Sequence, residues 1–424
     1  MSLLLTRRQF FGSPAIVLQP SRRPNVLVFM SDQESALLPG PVALPSRARL
    51  ERSAVRFTSA FCNTPQCSAA RSALLTGLEP NRTGVLTNVD ADSLGKALSP
   101  SIPTVGSVFR AAGYSTGYFG KWHLGGDSQG LSQFGFATYQ PRRTDEETAR
   151  QAAEWIRGQR APWLAWVSVL NPHEIYGLPD RIKDVQPRAG VKPPRSGREN
   201  LTGKPSEQRE YLAKDSGRPA RDYAPEDWIR YRSHYCELVE AADRCLGVVL
   251  DALAEPESTI VVYTSDHGDA LGEHGLPFKG PFMYEELISI PLLISAPGAP
   301  LGSSPRNDLV IQADLAPTLA SLAGLAWPAP VSGLDLAKGP NPRTGVFLEY
   351  YAKQKWVNPI RTIRTRRWKL NLYDRGNREL YDLATDPYET RNLAGQPEWL
   401  EVQAGLEKRF EAWRKPLLAS TLAK

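Results

Sequence analysis

Cys67 stands where an irregular stretch turns into a helix-forming run, and its surroundings suit an anion. Residues 67–76 supply Ala69, Ala70, Ala73, Leu74 and Leu75, and Gly77 falls where a helix should stop. A helix beginning at Cys67 aims unpaired backbone N–H groups and the positive end of its dipole at the sulfur. Arg71, four residues on, shares the helix face and adds a cation. A lone cysteine is ordinarily a small buried hydrophobe; this one sits in a cationic, anion-holding setting. Lys121 and His123, two apart on an extended segment, project to the same side and pair a cation with a proton-transfer group. Asp32, His173 and the pair Asp266-His267 each follow directly on an apolar run. Asp266 and His267 can serve one site only if the strand ends before them, a turn that Gly268 allows.

The elements that must position these groups follow from the pattern of apolar residues. Residues 24–30, 162–170 and 258–265 are continuous apolar runs, the signature of strands buried on both faces of a mostly parallel sheet. Residues 114–119 and 290–295 add strands, while 102–112, 147–158, 225–254 and 308–325 read as helices. In open α/β sheets the carboxyl ends of the strands carry the ligands, so convergence of the candidate residues on one edge is expected. Residues 178–222, rich in Pro, Gly, Arg and Lys, read as a long surface insertion that shapes access to that edge. From residue 346 the pattern changes to short strands at 346–351, 360–365, 368–373 and 379–383, with a final helix over 397–413. The expectation is a large mixed, mostly parallel sheet flanked by helices, plus a small C-terminal antiparallel sheet and helix that completes the rim of the site.

Composition narrows the function classes. The 424 residues carry 41% hydrophobic and 23% charged side chains, an ordinary globular balance. A net charge of +6 without a long basic run argues against nucleic-acid binding. The apolar run at 161–170 is too short to span a bilayer, so no transmembrane segment is expected. Four cysteines make no disulfide scaffold, and Cys236 and Cys245, nine apart on one helix, face opposite ways. Thr6-Arg7-Arg8-Gln9-Phe10-Phe11-Gly12 resembles a twin-arginine export signal, which implies a periplasmic or secreted location.

The run Cys67-Ser68-Ala69-Ala70-Arg71 through Leu75-Thr76-Gly77 resembles the signature of the formylglycine-dependent sulfatase family, within the alkaline-phosphatase-like superfamily. Ala69 and Ala70 stand where proline and serine are usual. Gly120-Lys121-Trp122-His123-Leu124-Gly125, Pro172-His173, Asp266-His267-Gly268 and Phe278-Lys279-Gly280 match further family motifs in the family order. The resemblance implies a catalytic domain at 24–344 with a small C-terminal α+β unit at 345–424, and residues 1–23 before it read as an export signal or a disordered leader. It implies that Cys67 becomes formylglycine through a maturation enzyme. It also implies one divalent metal, calcium first with manganese or zinc as alternatives, held by Asp32, Gln33, residue 67, Asp266 and His267. Gln33 keeps an oxygen donor but loses a charge relative to the family's Asp-Asp pair, and His267 departs from an all-oxygen calcium set. Lys121 and Lys279 would contact the sulfate, His123 a hydroxyl of residue 67, His173 the ester, and Arg71 would steady residue 67. Glu273 and His274 read as structural or rim groups. The implied activity is hydrolysis of an aryl, choline or sugar sulfate monoester. The pairing of Asp32-Gln33 with Asp266-His267 also resembles phosphonate monoester and phosphodiester hydrolases of the same group, and a non-catalytic binder of sulfated ligands is the remaining alternative.

Overall fold

The computed structural model describes residues 23–90, 94–160, 162–196, 201–299, 301–302 and 304–422; the leader motif at 6–12 lies outside the described residues. The strands are β1 (Asn25–Asp32), β2 (Val55–Arg56), β3 (Ala60–Phe61), β4 (Ser115–Gly120), β5 (Thr138–Pro141), β6 (Trp163–Pro172), β7 (Thr259–Ser265), β8 (Leu292–Ser295), β9 (Val310–Ile311), β10 (Gly345–Lys353), β11 (Trp356–Thr365), β12 (Trp368–Tyr373) and β13 (Arg378–Asp382). The helices are α1 (Pro45–Glu51), α2 (Cys67–Thr76), α3 (Pro80–Thr83), α4 (Val105–Ala111), α5 (Asp145–Arg157), α6 (Ser206–Lys214), α7 (Pro225–Leu250), α8 (Glu285–Ile288), α9 (Leu315–Leu322) and α10 (Leu400–Leu422).

Seven strands form one sheet in the order β2-β8-β7-β1-β6-β4-β5. Strands β7, β1, β6, β4 and β5 run parallel, and β8 and β2 complete the edge with antiparallel pairings. All of β1 is buried because it is covered on both faces. Alternate side chains go to opposite sides of a strand. Val26, Val28 and Met30 accordingly join Leu74, Phe109 and Leu319 on one face. Leu27 and Phe29 join Ala152, Leu246 and Val249 on the other. Truncating one such residue, Leu246→Ala for example, should cost about 2–5 kcal/mol through lost transfer energy and the cavity left behind.

β1 pairs with β6 on one side and β7 on the other, so the chain order reverses there and a crevice opens at the carboxyl ends. Asp32, Lys121, His173 and Asp266 end or follow the strands at that edge. Gly120 is required at the end of β4. Its φ is 96°, and an added Cβ would lie 2.0 Å from Ser168 O, so only glycine lets the strand end lie this close to β6.

The four-stranded antiparallel sheet β10-β11-β12-β13 follows, with Leu406 and Phe410 of α10 buried beside it. Three expectations need correction. Residues 308–311 are not helical: β9 pairs with β3, and helical structure begins with a 3-10 turn, Gln312–Asp314, that runs into α9. The segment 178–222 is not simply a surface loop, because α6 buries Gln208 and Tyr211 against the body of the protein. The helix expected over 225–254 ends at Leu250.

Candidate active site

Helix α2 is buried along its whole length and starts at Cys67, with Gln66 as N-cap and Gly77 closing it at φ 72°. Cys67 is fully buried. Its Sγ lies 3.2 Å from Lys279 Nζ, 3.3 Å from His267 Nε2, 3.5 Å from Lys121 Nζ and 3.7 Å from Asp32 Oδ1. Burial alone would push the thiol up. The charges of Lys121, Lys279 and His267 outweigh it and hold the group well below its ordinary value. The sulfur thus marks a point where negative charge is stabilised from several sides.

Asp32, Cys67, Asp266 and His267 form a buried group whose donor atoms all lie within 4.8 Å of one another. Arg71 sits behind the two aspartates. Its Nη2 donates to Asp32 Oδ2 at 2.7 Å and its Nε to Asp266 Oδ2 at 2.9 Å, while Nη1 donates to Lys121 O and Ser168 Oγ. The guanidinium thereby takes Oδ2 of each carboxylate, which Lys121 Nζ shares on Asp32 at 2.6 Å; Asp32 Oδ1 faces Cys67 Sγ, and Asp266 Oδ1 accepts from the N–H groups of Gln33 and His267 at 3.0 and 2.9 Å. Burial and the nearby sulfur push Asp32 upward, but Lys121, His173 and Arg71 prevail and its carboxyl is lowered. Asp266 goes the other way, raised by burial and by the neighbouring charge of Asp32. Two buried carboxylates this close need compensating positive charge, which Arg71 and Lys121 supply from one side. His267 Nδ1 lies 2.9 Å from Gly268 O and donates to it, so Nε2 is the nitrogen that faces the cluster. Two carboxylates, an imidazole nitrogen and a donor at residue 67 fit a divalent cation.

Gln33 follows β1 in a left-handed conformation, φ 69°. Its Oε1 accepts from Lys279 Nζ at 2.8 Å, and its Nε2 donates to Asp269 Oδ2 at 2.8 Å. Tyr231 from α7 donates to Asp269 at 2.9 Å and accepts from the N–H of Phe278, the residue before Lys279. Burial opposes a charge on Lys279, yet Cys67, Asp32 and Asp266 outweigh it and raise the ammonium's pKa.

His173 opens the turn after β6, a strand end held by Asp145, whose carboxylate accepts from the N–H groups of Leu170 and Asn171. Its ring packs against Tyr176 with centroids 4.9 Å apart. Burial and the ammonium of Lys279 lower its pKa to about 4. His123 has φ 61°, and its Nε2 lies 2.7 Å from Asp90 Oδ1.

The fold therefore brings Asp32, Gln33, Cys67, Lys121, His123, His173, Asp266, His267 and Lys279 to one edge. Arg71 reaches it from behind, touching the aspartates and not the sulfur. Glu273 and His274 are buried structural groups: Glu273 pairs with Arg232, and His274 stacks on Tyr284. Sequence reasoning missed Asp90, Ser168, Tyr231 and Asp269. Asp269 stood inside a motif already singled out, whereas Asp90 lies in a loop with no pattern to mark it.

Comparison with known proteins agrees with this geometry. The Sulfatase family profile matches residues 24–325, and that for the C-terminal part of N-sulphoglucosamine sulphohydrolase matches residues 272–416. The chain is 30% identical to the choline-sulfatase of Rhizobium meliloti, over 91% of this chain and 85% of the relative. It is 27% identical to a Delta 4,5-hexuronate-2-O-sulfatase of Bacteroides thetaiotaomicron, over 91% and 88%. Among solved structures, a 2-O GAG sulfatase superposes with TM-score 0.83 at 23% identity, covering 95% of this chain and 94% of that one. A phosphonate monoester hydrolase of Agrobacterium radiobacter superposes with TM-score 0.76 at 23% identity, covering 93% and 96%.

Proposed function

The chain belongs to the sulfatase family, the sulfuric ester hydrolases, and from that membership we propose that it cleaves a sulfate monoester at residue 67, using formylglycine and one divalent cation. The observation that carries this reading is the convergence of Lys121, Lys279, His267 and Asp32 within 3.7 Å of Cys67 Sγ. That sulfur marks where the oxygens of a formylglycine hydrate would lie.

Asp32, Asp266 and His267 Nε2 would hold the cation together with residue 67. Gln33 would join them through the second lone pair of the oxygen it offers to Lys279. In its hydrated form formylglycine supplies one hydroxyl to attack sulfur and another whose deprotonation expels sulfate, while the cation supplies Lewis-acid polarisation.

The protein's own groups supply the rest. Lys121 and Lys279 flank residue 67 and neutralise the charge gathering on the transferring sulfuryl oxygens. His173, whose pKa burial and the ammonium of Lys279 lower to about 4, is the weaker proton donor of the two groups at the ester. We assign the leaving alcohol's proton to Lys279, whose ammonium form the neighbouring anions favour. His123 takes the proton of the second hydroxyl. Arg71 fixes both aspartates through their Oδ2 atoms. The substrate is a sulfated small molecule or glycan, the partner in maturation is a formylglycine-generating enzyme, and the motif at 6–12 directs export to the periplasm.

Phosphonate monoester hydrolysis is the second reading, favoured by the combination of Gln33 with His267. Turnover of a sulfate monoester and of a phosphonate monoester by one converted sample separates the two. The sulfatase reading requires the larger kcat/KM for sulfate, and a clear preference for phosphonate would reverse the assignment.

A further inference from the structure

His123 makes a contact that the steps above do not use. Asp90 Oδ1 accepts from its Nε2 at 2.7 Å, so that nitrogen carries the proton. Nδ1 is buried and has no hydrogen-bond partner, on a ring that also interacts with the sulfur of Cys67. With Nε2 taken by Asp90, Nδ1 is the nitrogen left for residue 67.

Both halves of this pair are tied to the first turn of α2. Ser68 Oγ donates to His123 O at 2.5 Å and accepts from Val89 N–H at 3.0 Å. Asn88 Oδ1 accepts from Ser68 N–H at 3.2 Å. Thr87 Oγ1, one residue earlier, lies 2.8 Å from both Gln66 Oε1 and Ala352 O and shares its one O–H between them. The loop carrying Asp90 is thus registered against the helix that carries residue 67. His123 meanwhile keeps a left-handed backbone, costly for a residue with a Cβ. The fold holds this ring in place against a local penalty.

We infer that Asp90 is a positioning residue for the sulfatase reaction: it fixes His123 as the Nε2–H tautomer and so presents an unprotonated Nδ1 to residue 67. The inference rests on the reading of His123 as proton acceptor in the step that releases sulfate. One proton moves from the free hydroxyl at residue 67 to Nδ1, the O–H electron pair becomes the second bond of an aldehyde C=O, and the C–O bond to sulfate breaks with its pair leaving on sulfate; water then adds to the aldehyde to restore the hydrate. The imidazolium so formed has N–H on both nitrogens, with the Asp90 carboxylate as counter-charge. It returns the proton to water, and one water is consumed overall, as in any ester hydrolysis. A carboxylate orienting a histidine toward a third group is the logic by which hydrolases fix the useful tautomer of a base. Without Asp90 either nitrogen can carry the proton, and a ring protonated at Nδ1 cannot accept another there.

Nitrogen-15 spectra of the histidine side chains test the geometry, with His123→Gln assigning the signal among five histidines. At a pH where the ring is neutral, the wild-type protein should show His123 protonated at Nε2 alone, and Asp90→Ala should show a mixture of tautomers. Steady-state kinetics test the role. In Asp90→Ala, kcat should fall about 10–100-fold, the usual cost of losing an orienting partner. KM should fall with it, because attack on sulfur precedes the affected step. A burst of alcohol should appear on mixing, and Asp90→Glu should recover part of the loss. A wild-type ring protonated at Nδ1, an unchanged tautomer in Asp90→Ala, or equal losses in kcat and kcat/KM without a burst would overturn the inference. Turnover by the wild-type enzyme tests the functional reading separately, so a wrong tautomer in an active enzyme counts against Asp90 alone.

Discussion

Gln33 Oε1 accepts from Lys279 Nζ at 2.8 Å while Nε2 of the same carboxamide donates to Asp269. An ammonium can only donate and a carboxylate accepts, so the amide's orientation is set from both ends. The consequence for Lys279 is a fixed direction without an ion pair to a residue at position 33. Gln33→Ala leaves a buried carboxylate oxygen with one partner fewer and lets the lysine swing. We expect a loss of about 1–3 kcal/mol in unfolding free energy and a fall of about 10–100-fold in kcat/KM, read by thermal unfolding and steady-state kinetics. Unchanged kinetics would remove Gln33 from the site.

Lys279 is assigned the proton of the leaving alcohol, so its loss should matter most where the alcohol is a poor leaving group. For Lys279→Ala we expect kcat/KM to fall by about 10²–10⁴-fold with alkyl or sugar sulfates. The fall should be far smaller with aryl sulfates whose phenols need no proton. A series of aryl sulfates of graded phenol pKa measures this directly, as a steeper dependence in the variant. Equal losses across the series would restrict Lys279 to charge neutralisation.

The buried group Asp32, Cys67, Asp266 and His267 is the candidate cation site. Dialysis against a strong chelator should abolish turnover and lower the thermal midpoint, because a ligand bound only by the folded state stabilises it. At a hundred times its Kd the cation would contribute about 2.7 kcal/mol. Adding back calcium, manganese and zinc in turn identifies the ion by which one restores both readouts. A chelated protein that keeps its activity and its midpoint would remove the metal from the account.

In protein that has not been converted, the Cys67 thiol is held well below its usual value of 9.0, against burial, by Lys121, Lys279 and His267. Between the folded and unfolded values the unfolded chain binds the extra proton, so stability rises with pH. The contribution is complete above the unfolded thiol pKa and is lost as pH falls through the folded one. The difference in unfolding free energy between unconverted protein and Cys67→Ala should therefore grow in favour of the cysteine from about pH 6 to about pH 9. A difference that does not change with pH would contradict the cationic setting of residue 67.

Much of the fold was legible because three of the sheet's parallel strands, β1, β6 and β7, are continuous apolar runs and their followers carry the chemistry. The start of α9 was not, because residues 308–314 owe their conformation to the pairing of Val310 and Ile311 with Ala60 and Phe61, a contact some 250 residues away in sequence. Helix α6 was hidden for a related reason. Its buried face is polar and aromatic, with Gln208 donating to Glu379 and Tyr211 to Pro277 O, so no apolar stripe announces it. At the site, residues next to strand ends could be read in advance. The supporting groups Asp90, Asp269 and Tyr231 act through side-chain hydrogen bonds between distant segments, and no local spacing encodes those.

The account depends most on the chemical state of residue 67. Mass spectrometry of the peptide containing it, after co-expression with a formylglycine-generating enzyme, reads that state on the same sample used for turnover. The account predicts that residue 67 has lost its sulfur and gained an aldehyde, and that sulfate-ester hydrolysis scales with the converted fraction. An unmodified cysteine throughout, or hydrolysis that persists in Cys67→Ala, would contradict it.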